Sequence, residues 1–248
     1  MTTMNLFATA LAAALLAGCD APIQTTSLES ALTHADCDNP NPILFERDSR
    51  PFGVSMESWT ERWWNWVYSV PFATNPNFRT NQDCNQNQHG PIFFFPTPLV
   101  AGPPPPVSCT VPAHQPIGIM MPTVLNDFPC PDPTFAPAPG QTLFDFLLSV
   151  TKPIEDEIVQ LDATLDGVPL KDLLTYRFTS DDLFSLTGDL SLQVVDNCVT
   201  GKPQPAVADS IFVVIKHLGP GQHTLVKRSV TNKGLVTTHT DTLTVLGD

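Results

Sequence analysis

The chain lacks an apolar run long enough to cross a bilayer. Its N-terminal uncharged stretch covers residues 6–17, 12 positions, against the roughly 18 to 20 that a spanning helix needs. Basic side chains are scarce too, with 12 Lys and Arg against 25 Asp and Glu and a formal charge of −13. A field of that sign repels phosphate backbones, which excludes nucleic acid as a partner class. No H-E-x-x-H, G-x-S-x-G or C-x-x-C occurs, and no histidine neighbours a cysteine pair at zinc-finger spacing. Those absences remove the motifs of zinc proteases, nucleophile-elbow hydrolases, dithiol oxidoreductases and structural zinc sites. No catalytic residue is assigned from sequence, and no cofactor or metal is expected. No internal repeat divides the chain.

Proline, by contrast, is abundant: 26 residues, about twice the usual share. Combined with a charged fraction of 15%, this favours a loop-rich extracytoplasmic β protein. The short apolar run ends in Leu16-Ala17-Gly18-Cys19, which resembles a bacterial lipoprotein signal with its lipobox. The resemblance implies removal of residues 1–18 and acylation of Cys19 as the new N-terminus. Each buried methylene contributes about 0.8 kcal/mol, so two or three chains hold a protein on a membrane where one does not. The other reading is an ordinary export signal cleaved near Ala17, leaving Cys19 as a thiol in a soluble periplasmic protein. Residues 19–52 are polar, without hydrophobic period, and read as a lipidated N-terminus and flexible tether. Residues 53–248 read as a single domain.

Five cysteines follow Cys19: Cys37, Cys84, Cys109, Cys130 and Cys198. In an oxidising compartment they pair, and the odd number leaves one over. Cys84 with Cys109 would clasp the base of the excursion that carries Phe93-Phe94-Phe95 and the run of prolines at 103–106. Cys130 with Cys198 is the second pairing, because both sit in loops between apolar runs.

The one persuasive helix covers residues 55–70, with Ser55 as cap. Met56, Trp59, Trp63, Trp66 or Val67, and Val70 form one stripe. Trp64 and Tyr68 lie off it, as further core or as an exposed stacking platform for sugar rings. A shorter amphipathic helix is expected at 142–150. Downstream the period becomes two, with strands at 159–165, 173–178, 183–186, 190–195, 211–218, 222–230 and 235–246, preceded by short ones at 91–96 and 117–121. Asp166-Gly167 reads as a hairpin turn. The expectation is an all-β fold, an antiparallel, jelly-roll-like β-sandwich with one Trp-rich N-terminal helix and one short mid-chain helix. A closed barrel fits the same strands.

The ordered elements Trp59-x-x-x-Trp63-Trp64-x-Trp66, Gly90-Pro91-x-Phe93-Phe94, Cys109-Thr110-Val111-Pro112-Ala113, Leu165-Asp166-Gly167-Val168, Tyr176-Arg177, Ala206-Val207-Ala208-Asp209 and Gly221-Gln222-His223-Thr224 are similar to those of a group of uncharacterised secreted bacterial proteins. The similarity implies a shared fold and export and carries over no catalytic residue.

His217 and His223 flank a tight turn and are the nearest approach to a metal pair, with His239 as a conceivable third ligand. The alternative is that His223 hydrogen-bonds its own loop. Glu57, Glu61, Asp127 and Asp209 are candidates for paired-carboxylate hydrolysis of polysaccharide or peptidoglycan. Arg177 and Lys216, lone bases in apolar strands, need carboxylate partners if buried. Three classes result: a non-enzymatic envelope binding module with a glycan or an envelope protein as partner, a secreted hydrolase, and a structural envelope component. The first is preferred, since β-sandwiches often carry recognition in their loops.

Overall fold

The computed structural model describes residues 39–99, 102 and 104–247; Cys19, Cys37 and the export signal lie outside the described residues. Among the described residues, ten strands form two five-stranded sheets. They are β1 (Phe93–Phe95), β2 (Ser108–Val111), β3 (Ile117–Asp127), β4 (Ile158–Leu165), β5 (Val168–Leu170), β6 (Arg177–Thr179), β7 (Phe184–Leu186), β8 (Gln204–Ile215), β9 (Gly221–Thr231) and β10 (Val236–Val245). The first sheet runs β1-β3-β8-β6, with β7 also on β8; the second runs β2-β10-β9-β4-β5. Helices α1 (Met56–Ser69) and α2 (Leu143–Glu155) pack against strands of the first sheet. Side chains from both sheets and α1 share one hydrophobic core, including Trp59, Trp63, Phe95 and Phe212 with Leu165, Leu225 and Leu243. The fold is an all-β sandwich with two helices. Two strand pairs depart from the antiparallel pattern: β1 lies parallel to β3, and β2 parallel to β10. The chain leaves the first sheet after β1, adds β2 to the second sheet and returns as β3. That crossover is what a parallel pair requires.

Strand β8 is buried at every position except Pro205. Consecutive burial means that both of its faces are covered. Helix α1 is capped by Ser55, whose Oγ accepts from the Ser58 amide at 3.2 Å. Helix α2 continues past the expected Val150 to Glu155. Residues 190–195, expected as a strand, hold instead a 3-10 helix, Leu190–Val194, started by Asp189 accepting from the Ser191 amide. Leu192 is buried while Leu190, Val194 and Val195 face solvent, so alternation fails there. Residues 173–178 split likewise into a 3-10 turn, Leu173–Tyr176, and β6. At Asp166 and Gly167 φ is +52° and +78°, as a tight hairpin demands.

The compact unit begins at Pro40, so residues 40–52, the end of the stretch read as tether, contribute to the domain. Leu44 is fully buried and bridges Ile215. The Phe45 amide donates to the Val214 carbonyl at 2.9 Å, and the Lys216 amide to that of Ile43 at 2.8 Å. The short apolar group Ile43-Leu44-Phe45 extends the sheet but is too brief to show a period in sequence.

Arg177 finds the partner its position requires. Its Nε donates to Asp209 Oδ1 at 2.8 Å and its Nη1 contacts Asp156 at 2.8 Å; Thr179 Oγ1 donates to the same Asp209. This ties β6, β8 and the end of α2 together. Glu155 is buried beside the pair, its Oε1 unpartnered among the described residues, and burial, then repulsion from Asp209, pushes its carboxyl up to about 8. Because the folded-state value exceeds the unfolded one, this stabilising contribution is complete below about pH 4.5 and lost as pH rises through 8. The stability of Glu155→Gln relative to wild type should therefore grow by about 3–5 kcal/mol from pH 5 to 9, at about 1.4 kcal/mol per pKa unit. Urea melts at several pH values measure this, and a constant difference contradicts it.

Candidate functional site

Strand β3 changes register on β8 between Met120 and Thr123. Pro122 lies in that step and has no N–H to donate, so the ladder is interrupted locally. At the same place a cavity of about 250 Å³ opens between the sheets. Met121, Pro122 and Thr123 of β3 line one side; Ile158 and Leu161 of β4, Lys227 and Ser229 of β9, and Thr237 and His239 of β10 line the other. Pro98, Leu99 and Pro104, around the proline-rich excursion, complete the wall.

Most of that wall is apolar, but a charged cluster underlies it. Lys227 and His239 are directly opposite each other in the β9–β10 register. Asp241, two residues along on the same face, is wholly buried. Lys227 Nζ lies 2.9 Å from Asp241 Oδ2, and His239 Nδ1 lies 3.3 Å from the same oxygen. His239 Nε2 faces the Pro105 carbonyl at 2.6 Å, while the Val107 amide donates to Asp241 Oδ1 at 3.1 Å. Burial acts most strongly on Asp241 and would raise its pKa, but the His239 hydrogen bond and the Lys227 charge outweigh it and hold the carboxyl low. Among the described residues Asp241 is the partner of the Lys227 ammonium, which has three protons to donate.

Trp64 and Tyr68 are not a platform. They are buried, and their rings meet edge to face at 6.0 Å and 64°. The covering segment begins at Gly188, where a Cβ would fall 3.0 Å from Tyr68 Cδ1 and 2.8 Å from Val199 Cγ1. Tyr68 donates its hydroxyl proton to Asp196 Oδ2 at 2.7 Å. His217 and His223 do line one cleft, yet not as a ligand pair. His223 has Asp166 Oδ2 at 2.7 Å from Nδ1 and the Gly219 carbonyl at 2.8 Å from Nε2. His217 stacks on His114, with ring centroids 5.5 Å apart; His239 belongs to the cavity between the sheets. His223 thus fastens its own loop to the β4–β5 hairpin. Burial works against its protonated form, but the bonds to Asp166 and Gly219 raise its pKa overall.

Both anticipated disulfides are present, Cys84–Cys109 and Cys130–Cys198. Of the carboxylates, Asp209 is bound by Arg177. Glu61, by burial and then by Glu57, and Asp127, by burial and then by Asp196, are each raised to about 7. None of these four acids lines the cavity between the sheets. The Lys227–Asp241–His239 cluster escaped the sequence reading. Its signal is parity: His239 and Asp241 alternate in step with Leu243 and Val245, which are buried, and so occupy inward positions. Comparison of the chain with known protein families, curated proteins and solved structures gives no match.

Removing Asp241 leaves a buried ammonium uncompensated, at a cost of about 3–5 kcal/mol. Asp241→Ala should lower stability by that amount in denaturant titrations, and adding Lys227→Met should restore most of it. Full additivity of the two losses contradicts the pairing.

Proposed function

We propose that this chain is a lipid-anchored protein of the bacterial cell envelope, held through Cys19, that binds a small amphiphile in the cavity between its sheets without transforming it. The observation that carries this reading is a buried lysine at the wall of a largely apolar cavity. The apolar surface of Met121, Ile158, Leu161 and Leu99 suits a short hydrocarbon body, and the volume is near the lower end of the roughly 300–1,000 Å³ typical of small-molecule sites. Lys227 Nζ lies 2.9 Å from Asp241 Oδ2 as an ion pair, which leaves ammonium protons for a further acceptor. A ligand carboxylate supplies that acceptor. With Trp64 and Tyr68 inside the core, a glycan platform has no support on α1.

Calorimetric titration of the protein with octanoate should show binding, and octylamine should show none, because an ammonium would meet Lys227. Lys227→Met should weaken octanoate binding at least about tenfold, as expected for loss of a charged hydrogen bond. Equal affinity in that variant would overturn the reading. For the anchor, metabolic labelling with palmitate in a bacterial host should mark the wild-type chain and not Cys19→Ala. Undiminished export without label would favour the soluble periplasmic alternative.

A further inference from the structure

The two disulfides occupy different surroundings. Cys84 and Cys109 are buried to within a few per cent, whereas Cys130 and Cys198 are only half-buried. Cys130–Cys198 joins the turn after β3 to the segment before β8. Beside it stands a carboxyl group: an Asp127 oxygen lies within 4.8 Å of both sulfur atoms. Asp127 is itself buried. Gln204 Nε2 donates to Asp127 Oδ2 at 2.6 Å and to the Cys198 carbonyl at 3.0 Å, so one amide holds the acid and a sulfur-bearing backbone in register. Asp196 faces the same group, accepting from the Cys198 amide and the Tyr68 hydroxyl. Acid and sulfur are separated by a distance that one water molecule bridges.

We propose that Cys130–Cys198 is a site of thiol–disulfide exchange, open to external thiols, with Asp127 as its proton donor. An incoming thiolate attacks one sulfur and forms a mixed disulfide as the Cys130–Cys198 bond breaks. The electron pair of the broken bond stays on the leaving sulfur, which takes the Asp127 proton, directly or through water. A second external thiolate then attacks the mixed disulfide, forms a disulfide with the first and releases the other cysteine sulfur, protonated from water. Two electrons pass to the protein and two external thiols are oxidised; the reverse sequence oxidises the protein. Burial, then repulsion from Asp196, raises Asp127 to about 7. It therefore holds its proton at mildly acidic pH and loses it above neutrality. Ionised, it opposes a neighbouring thiolate, so its assistance falls as pH rises.

The test uses the full chain with free thiols first blocked by N-ethylmaleimide. Reduced glutathione is then applied from pH 6 to 9, and differential alkylation with mass spectrometry follows each cysteine pair. Cys130–Cys198 should open about tenfold faster or more than Cys84–Cys109 in the wild-type protein. Its rate per glutathione thiolate should fall as pH rises through 7. Asp127→Asn should slow the reaction at pH 6 and flatten that profile. Equal rates for the two disulfides overturn the proposal without recourse to the variant. A wild-type profile flat through pH 7 overturns the role of Asp127.

Discussion

Strand β8 sets the terms for the rest of the domain. A strand buried at consecutive positions has no wet face, so the chain must supply cover on both sides, and the aromatic load of α1 provides much of it. Trp59, Trp63, Trp64 and Trp66 are all at most 5% exposed. At roughly 150–250 Å² of burial each and about 25 cal/mol per Å², each contributes about 4–6 kcal/mol before conformational entropy is subtracted. The indole nitrogens of Trp59, Trp63 and Trp66 donate to the carbonyls of Pro51, Phe95 and Gln86, which fixes the helix relative to β1 and the flanking loops. The fit is close enough to dictate a glycine. A Cβ on Gly118 would stand 2.8 Å from Phe212 Cζ, so the ring of one strand occupies the side-chain space of its neighbour.

A chain with twice as many acids as bases must still bury some acids, and it does so in two ways. Asp209 and Asp241, both without solvent exposure, are met by the cations Arg177 and Lys227. Among the described residues, Asp127 and Glu155 lack a cation bonded to them and are held neutral by the cost of burying their charge. The first pair fixes geometry: Arg177 joins three elements, and Asp241 joins β9, β10 and the proline-rich excursion. The second pair confers pH dependence, because a proton kept by burial is surrendered within the physiological range.

Much of the fold was legible from period and punctuation. The alternation through β4, β9 and β10, the Asp166-Gly167 turn and the Ser55 cap are local features whose physics is local. What could not be read depends on distant partners. Residues 190–195 have the composition of a strand, but Asp189 caps a 3-10 turn there and its amide donates to the Tyr68 carbonyl of α1. The parallel placement of β1 and β2 follows from a crossover that no window of sequence displays. Trp64 and Tyr68 sit off the main stripe of α1, and only the covering segment around Gly188 and Val199 shows that this side is core as well. His217 and His223 are close in sequence, yet each ring is engaged elsewhere. Conversely, Lys227 is far enough from His239 and Asp241 in the chain that only the β9–β10 register brings it to them.

The cavity exists because two interruptions of regular structure coincide. Pro122 breaks the β3 ladder and moves its backbone off the line of β8, while the excursion between β1 and β2 must travel from one sheet to the other and cannot close the gap with regular pairing. The Cys84–Cys109 bridge limits how far that excursion strays. With a sequence separation of 25 between its ends, closing the loop removes roughly 3 kcal/mol of unfolded-state freedom, and Cys109 is registered on Leu243 of β10. Pro105 and Val107 are thereby held where their backbone atoms meet His239 and Asp241. The charged cluster is thus a consequence of the clasp as much as of the strands: without a fixed carbonyl and amide on that side, a buried lysine, histidine and aspartate would have too few partners to offset their desolvation.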